Sequence, residues 1–228
     1  ALKLYLYAMR RYCLLLFLIA SFLSHSQEVY LDHVIYQVFN LDSITNDYYS
    51  QGFTIKPGIR HKNGIENAHL KFNNGSSLEF IALYKDPTDA IAKNYQRILK
   101  SKKEVVKIAL TGLPLKHISK TLRTNQIKHQ IIEGKLWSYL TFPKKTPLTN
   151  FFFIEYHHTF NEDEKYTKHK NGINSIEMIS MEYNHDIKAF LSLFITESNS
   201  NDFNTKTGNI HLNSNCKNLK QPIVVRLK

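Results

Sequence analysis

The sequence of this 228-residue chain predicts an α+β fold made of two βαβββ modules. Three observations support this prediction. Segments rich in β-branched and aromatic residues have the character of strands, and helix-like segments with turn residues at their ends lie between them. A tight hairpin turn at Asn73-Asn74-Gly75 separates two of the strands. The order strand, helix, strand, strand, strand then occurs a second time, which indicates a structural repeat.

The first module, residues 27–95, starts with Leu31–Val38, a segment dense in β-branched and aromatic side chains that predicts a strand. A helix over Ser43–Ser50 follows, because Asn40 or Asp42 supplies a capping side chain. Gly52 suits the left-handed residue at the end of that helix. Three further strands are predicted at Phe53–Ile55, Ala68–Phe72 and Ser77–Tyr84.

The second module, residues 96–160, repeats this order. Glu104–Leu110 predicts a strand, and Gly112 and Pro114 introduce a helix over Leu115–Thr124 that has apolar residues along one side. A polar helix, Asp86–Lys102, connects the two modules. The remaining strands are predicted at His129–Ile132, Lys135–Phe142 and Phe151–Tyr156.

The C-terminal part, residues 161–228, predicts a third, truncated βα unit at Ser175–Met181 and Ile187–Phe194. The tail from Thr196 to Lys220 is rich in Asn, Ser, Thr and Lys, a composition that favours loop or partial disorder. Two pieces of strand-like sequence, Gly208–Leu212 and Ile223–Leu227, interrupt this polar region. We expect them to pair at the edge of a sheet.

Residues 1–26 have the features of a signal peptide. Met9 is followed by two arginines, an apolar run to Leu23 and small residues before Gln27, so cleavage after Ser26 and export to the periplasm or the medium are expected. The residues before Met9 then indicate an over-long N-terminus, and a membrane anchor is the alternative interpretation. After cleavage only Cys216 remains, which excludes an intramolecular disulfide and a zinc site made of several thiolates.

The charge of the chain is uneven. The whole sequence carries a formal net charge of +11, and Lys93 to Lys145 alone contains thirteen basic and two acidic residues. Such a basic segment is compatible with an anionic partner or with an ordinary solvated face. No nucleic-acid-binding motif is present, and an exported chain is not expected to meet nucleic acid. After signal cleavage no membrane contact is expected either.

Four segments of the chain resemble the glyoxalase-like domain of the vicinal oxygen chelate superfamily. They are LDHV at Leu31–Val34, GFTIKPGIRHKNGIENAHLKF at Gly52–Phe72, SLEFIAL at Ser77–Leu83 and HKNGINSIEMISM at His169–Met181. The resemblance covers the chain from Tyr30 to about Phe194. It implies that the paired modules form a half-open barrel around a shared cavity.

The resemblance also implies a metal site, because the first and fourth strands of each module supply the ligands in that superfamily. The matching residues are His33, Glu79 and Glu155, and the fourth position falls near Val106 or Lys107, neither of which ligates a metal well. One imidazole and two carboxylates suit a divalent ion such as Fe, Mn, Ni or Zn. The alternative for His33 is a packing role within the sheet.

Other residues are candidates for catalysis or for substrate binding. His61, beside a flexible turn, is either a general acid or base or an ordinary loop histidine, and Glu155 is a second candidate for proton transfer. Asn67, Trp137 and His157 are predicted to contact a substrate, although Trp137 is equally compatible with the core.

Two classes of function follow from these observations. One is a metal-assisted enzyme, of lyase, isomerase or dioxygenase type, that acts on a small oxygen-rich molecule. The other is a non-catalytic protein that binds a small ligand in the same cavity. The sequence has neither a phosphate-binding glycine loop nor a nucleophile elbow. A monomer is expected, because the third unit would cover the edge of the second module.

A further prediction concerns His33 and Glu79, which are expected to face the same cavity. Side chains alternate between the two faces of a strand, so His33 shares a face with Ile35, and Val34 and Tyr36 share the opposite face. If both residues bind one ion at about 2.1 Å, an imidazole nitrogen of His33 and a carboxylate oxygen of Glu79 should lie roughly 3–4 Å apart.

Overall fold

The computed structural model of the chain describes residues 28–101, 106–159, 163–214 and 223–228. The predicted signal peptide and Cys216 lie outside these ranges. In the described part of the chain no helix has the length and apolar character needed to span a membrane.

An eight-stranded sheet contains both predicted modules. Its strands in chain order are β1 (Tyr30–Gln37), β2 (Lys56–Arg60), β3 (Ile65–Lys71), β4 (Ser77–Leu83), β5 (Val106–Thr111), β6 (Gln130–Ile132), β7 (Trp137–Thr141) and β8 (Phe151–Tyr156). They are arranged in the order β2-β3-β4-β1-β5-β8-β7-β6. In each module the first and fourth strands pair in parallel, and the antiparallel pair β1–β5 joins the modules. The predicted α+β fold with paired βαβββ modules is confirmed, as an open sheet with β2 and β6 at its ends.

Four α-helices accompany the strands in the described ranges. They are α1 (Leu41–Ser50), α2 (Ala90–Lys100), α3 (Leu115–Thr124) and α4 (His185–Ser192). The predicted cap of α1 is confirmed, because the side chain of Asn40 accepts a hydrogen bond from the Ser43 N–H at 2.8 Å. Gly52, just after this helix, has a φ of +87°, the left-handed conformation that the sequence predicts.

The predicted strand at Phe53–Ile55 is wrong. Phe53 is buried in the core against Tyr48, and the observed strand, Lys56–Arg60, begins directly after the predicted segment. This strand contains Pro57, which lacks a backbone N–H. A proline is tolerated there because β2 is the edge strand of the sheet.

The C-terminal part is a complete third module, which corrects the predicted truncated unit. It consists of β9 (Ile176–Glu182), α4, β10 (Glu197–Asn199), β11 (Asp202–Thr205) and β12 (Gly208–Asn213), and β12 pairs in parallel with β9. β12 matches the strand-like sequence predicted at Gly208–Leu212, whereas β11 was missed because Phe203 is the one apolar residue in its polar sequence. β13 (Ile223–Leu227) pairs with β9 at the edge of this second sheet, as expected, whereas Gly208–Leu212 lies within it.

The main core lies between the eight-stranded sheet and the third module. Leu31 and Val34 of β1 belong to the same buried cluster as Ile179 and Leu212 of the second sheet. Phe190 of α4 packs against three aromatic rings of the second module, Phe142, Phe151 and Phe153. We call this the core face of the eight-stranded sheet. The opposite face, which carries His33 and Ile35, is the cavity face.

Candidate active site

A β-bulge at the start of β1 directs two consecutive polar residues toward the cavity. Leu31 pairs with Leu110 and His33 pairs with Ala109, so Asp32 is an extra residue without a partner of its own on β5. A bulge of this kind breaks the strict alternation of side chains. As a result Asp32 and His33 both line the cavity, while Leu31 and Val34 are fully buried on the core face.

His33 and Glu79 face each other in this cavity. His33 Nε2 lies 3.5 Å from Glu79 Oε2, and only 11% of the His33 side chain and 15% of the Glu79 side chain are exposed. The parallel pairing of β1 with β4 places Glu79 opposite Ile35, two residues along β1 from His33 and on the same face of the sheet. The predicted proximity of the two side chains, and the position of Val34 on the other face, are confirmed.

Asp32 orients the His33 ring. The Asp32 carboxylate contacts His33 Nδ1, and Tyr156 donates a hydrogen bond to the same carboxylate oxygen at 2.9 Å. Burial alone would raise the pKa of Asp32, but the hydrogen bonds from His33 and Tyr156 and the charges of His33 and Lys71 outweigh it and hold the pKa below its usual value. Nδ1–H of His33 therefore donates to an ionised carboxylate. Nε2, the other ring nitrogen, faces Glu79.

Asn67 fixes the Glu79 carboxylate. Its Nδ2 donates to Glu79 Oε1 at 2.7 Å, and its Oδ1 accepts from the Ile59 N–H at 2.8 Å. The second contact depends on Gly58, since a Cβ on this glycine would lie 2.1 Å from Asn67 Oδ1. Asn67 was predicted as a substrate contact. The structure places it in the cavity wall, directly against Glu79.

His69 lies beside this group on β3. Its Nε2 is 3.2 Å from Asn67 Nδ2, and the strand pairing puts it opposite Glu79. Burial lowers the pKa of His69 to about 4, although the charge of Glu79 acts in the opposite direction. His69 is therefore neutral near pH 7 and accepts the Asn67 hydrogen bond.

The cavity has a volume of about 1530 Å³, which is large enough for an organic molecule well above the size of a sugar. Its walls combine the polar group around His33 with apolar side chains from β1, β8 and β7, including Ile35, Phe152 and Ile154. Helix α2 closes one side, where burial raises the pKa of Tyr95 to about 12. The Tyr95 phenol is thus a neutral hydrogen-bonding group throughout the ordinary pH range.

Three other predicted residues lie at the cavity. Trp137 lines its wall, half-buried, and its indole N–H donates to the Tyr139 hydroxyl at 2.8 Å. His61 is exposed at the rim. His157 is also exposed at the rim, and its Nε2 lies 3.0 Å from Ser138 Oγ. Within the described part of the chain, none of these three residues forms a hydrogen bond or an ion pair with His33 or Glu79.

Glu155 is not part of this site, which corrects its predicted roles as metal ligand and as catalytic residue. Its Oε2 accepts a hydrogen bond from the Leu115 N–H at 3.1 Å, at the first turn of α3. Pro114, at the N-cap of this helix, makes no side-chain cap, so a free backbone donor is available to the carboxylate. On β8 the residues on either side of Glu155, Ile154 and Tyr156, are the ones that line the cavity.

The predicted metal site therefore has two of its ligands together and lacks the third. In the described part of the chain no group of three or more His, Cys, Asp or Glu side chains is arranged to hold a metal ion. The position in the second module that corresponds to a first-strand ligand is occupied by Lys107, which faces the cavity and donates a hydrogen bond to the Thr149 carbonyl.

Sequence reasoning missed Asp32, His69, Tyr95 and Tyr156. Tyr156 could have been predicted, because it alternates with Phe152 and Ile154 along β8 and therefore shares their face. Asp32 could not have been predicted. Regular alternation assigns its side chain to the face opposite His33, and the sequence LDHV does not indicate the bulge.

The chain was compared with protein families, with curated proteins and with solved structures. The model of a family described as glyoxalase-like domain matches residues 31–190. A search of curated proteins gives no match. Among solved structures, a hypothetical protein from Staphylococcus aureus is 17% identical, with a TM-score of 0.55 over 82% of this chain and 87% of that chain. A methylmalonyl-CoA epimerase from Mycobacterium tuberculosis is 19% identical, with a TM-score of 0.45 over 60% of this chain and 93% of that chain.

Proposed function

Because the chain belongs to the glyoxalase-like domain family of the vicinal oxygen chelate superfamily, we propose that it binds a small organic molecule in the cavity and moves a proton on it. The acid–base pair is His33 and Glu79. The single observation that supports this most strongly is the 3.5 Å approach of His33 Nε2 to Glu79 Oε2 inside the cavity, with Asp32 on the other ring nitrogen.

The surroundings of His33 suit a general base. When Nε2 accepts a proton, the ring becomes a cation, and the carboxylates of Asp32 and Glu79 lie on either side of it. Both stabilise that charge in a setting largely shielded from water, where electrostatic interactions are strong. Tyr156 and Asn67 hold the two carboxylates in place, so little rearrangement accompanies the transfer.

The reaction that fits this arrangement is proton abstraction next to a carbonyl group. His33 Nε2 takes a proton from the carbon, the electron pair of the C–H bond moves toward the carbonyl oxygen, and the proton returns to the same carbon or to a neighbouring atom. The net result is exchange, epimerisation or isomerisation, with no oxidant or reductant required. Tyr95, neutral and half-buried at the cavity wall, is a hydrogen-bond donor for the oxygen.

A divalent metal ion is a second candidate component, favoured by the same pair of residues. His33 Nε2 and Glu79 Oε2 have the separation of two ligands on one ion, and a carboxylate on the remote nitrogen is usual for a metal-bound histidine. Such an ion would polarise a substrate oxygen. With two protein ligands in place of the usual three, the donor set fits only a weakly held ion.

Hydrogen–deuterium exchange tests the proposal. The protein is incubated in D2O with a panel of small 2-oxo and 2-hydroxy acids, their neutral esters and thioesters, and loss of the proton signal next to the carbonyl is followed by NMR. We expect enzyme-dependent exchange of at least one compound, and its loss in His33→Gln and in Glu79→Gln. The matched control is His117→Gln, a change of an exposed histidine on α3.

Two results would separate the alternatives. Binding without exchange would contradict catalysis and leave a ligand-binding protein. If exchange requires added Mn²⁺, Ni²⁺ or Zn²⁺ and is abolished by a chelator, the metal-dependent form applies. In that case His33→Gln should also lower the metal content measured by mass spectrometry.

A further inference from the structure

The basic segment of the sequence contributes one wall of the cavity. Of the residues between Lys93 and Lys145, Lys107, Lys128 and Lys144 line the cavity, and we call these three the basic wall. They come from the second module, whereas the acidic residues of the cavity, Asp32 and Glu79, come from the first. The first module also contributes Lys56 and Lys71, so the second module's share of the lining, unlike that of the first, carries cations without carboxylates.

Among the residues that the structure describes, the lysines of the basic wall have no carboxylate partner. Lys107 donates to the Thr149 carbonyl, Lys144 approaches the Asn94 amide oxygen at 3.5 Å, and neither these two nor Lys128 forms an ion pair within the described residues. Other lysines of the described chain, such as Lys165, Lys168 and Lys188, do have such partners. An unpaired cluster of cations beside a cavity attracts anions.

Lys107 is the lysine of the basic wall whose ammonium group is destabilised by burial. It is half-buried on β5, and burial, together with the nearby charge of Lys144, lowers its pKa below the ordinary lysine value. Two ammonium groups that repel each other in a partly dry cavity are stabilised when an anion lies between them. The same contact would replace the water that the partly buried ammonium lacks.

The strand pairing sets the distance between the basic wall and the acid–base pair. Lys107 is the register partner of Ile35 on one side, and Glu79 is the partner of Ile35 on the other. Neighbouring strands lie about 4.8 Å apart, so the Cα atoms of Lys107 and Glu79 are roughly 10 Å apart across the cavity face. The apolar side chains of Ile35 and Phe152 lie in the same wall.

We propose that the cavity takes a small molecule with an anionic oxygen group, a carboxylate or a phosphate, which binds at the basic wall. A short chain of a few atoms then spans the apolar part and presents the reactive carbon to His33 and Glu79; this second half rests on the proposed function. The lysines bind the anion and determine specificity, while the proton transfer takes place at His33 and Glu79, two strands away from Lys107.

Binding of three probes tests the first half. The full chain is titrated at low ionic strength with inorganic phosphate, pyruvate and the neutral methyl ester of pyruvate, and the amide NMR signals of Ile35 and Thr149 are followed. We expect saturable shifts with at least one anion and none with the ester at the same concentration. A response to phosphate alone identifies a phosphate group, and a response to pyruvate alone identifies a carboxylate. No response to either anion, or an equal response to the ester, overturns the proposal.

Variants then locate the anion. Lys107→Gln/Lys144→Gln should raise the Kd of the bound anion by about tenfold or more, and Lys144→Gln alone, at an exposed position where folding is not at risk, should raise it by a smaller factor. The control, Lys116→Gln/Lys120→Gln, removes the same charge from exposed positions on α3. Equal weakening by the control would overturn the assignment. His33→Gln should leave anion binding intact, so failure of the acid–base function and failure of this proposal are distinguishable.

Discussion

At the scale of single residues, the site depends on which face of a strand each side chain occupies. His33 reaches Glu79 because both lie on the cavity face, and Asp32 joins them only through the bulge in β1. Glu155 lies one position away from the cavity-facing residues of β8, and its carboxylate accepts a hydrogen bond from the N-terminus of α3 instead. A shift of one residue thus changes a carboxylate from a possible catalytic group into a structural one.

The role of Glu155 gives a stability prediction. Glu155→Ala removes the acceptor for the Leu115 N–H and a negative charge near the N-terminus of α3, and we expect the free energy of unfolding to fall by about 0.5–2 kcal/mol. Urea denaturation measures this change. Proton exchange and anion binding should be unaffected, and Glu133→Ala, at an exposed position, should leave stability unchanged. A loss of exchange activity with unchanged stability would return Glu155 to the active site.

Histidine burial predicts a pH dependence of stability. His169 Nδ1 accepts a hydrogen bond from the Thr54 N–H at 3.0 Å, its Nε2 lies 2.9 Å from the Lys71 carbonyl, and burial lowers its pKa. Because the folded pKa lies below the unfolded value of about 6.5, the stabilisation is complete above pH 6.5 and is lost as the pH falls below it. His69, whose pKa is lowered to about 4, acts with the same sign.

The measurement compares urea denaturation at pH 7.5 and pH 5. The wild type should lose stability between these values, and His169→Gln should lose less, since it lacks one of the two titrating groups. A variant with the same pH dependence as the wild type would show that His169 does not contribute.

At the scale of elements, the edge strand β2 supports the active site without supplying a catalytic group. Its Gly58 allows the strand to approach Asn67, whose amide then reaches Glu79. Gly58→Ala should displace Asn67 and lower the exchange rate, because the added Cβ would lie within 2.2 Å of both the side-chain and backbone oxygens of Asn67. Pro57→Ala, at the preceding exposed residue, is the control. Exchange at the wild-type rate in Gly58→Ala would mean that Asn67 does not position Glu79.

Prediction from sequence succeeded where elements have one apolar face and clear ends. α3 was predicted at its observed bounds, and the pairing of β1 with β4 brought His33 to Glu79 as expected. It failed where the deciding factor is a contact distant in sequence. The strand β2, the bulge at Asp32 and the strands β10 and β11 of the polar tail are stabilised by neighbouring strands, and short-range patterns do not contain that information.

At the scale of the whole molecule, the third module is part of one core with the other two. Its β12 and α4 pack on the core face of the eight-stranded sheet, opposite the cavity. The Thr207 hydroxyl donates to the Leu31 carbonyl at 2.6 Å, and the Thr205 hydroxyl accepts from the Leu31 N–H at 3.3 Å. These contacts fix the backbone of the residue immediately before the bulge at Asp32. The third module therefore stabilises the active site from the core face of the sheet.

Removal of the central aromatic residue of this interface should therefore destabilise the whole chain. Phe190→Ala deletes a fully buried ring that contacts Phe142, Phe151 and Phe153, and a loss of about 3–5 kcal/mol is expected. Phe39→Ala, at a residue 71% exposed, should cost far less. Thermal unfolding should show a single transition in both variants. A separate early transition in Phe190→Ala would indicate that the third module unfolds independently.

The central claim, that His33 and Glu79 act together on a bound molecule, is tested most directly by a double-variant comparison of the proton exchange rate. The rate is measured for His33→Gln, for Glu79→Gln and for the variant with both changes, all with the compound that the wild type exchanges. If the two residues act as one unit, each single change should lower the rate by about 100-fold or more, and the double change should lower it little further. Independent, multiplying losses, or a single variant with the wild-type rate, would contradict the claim.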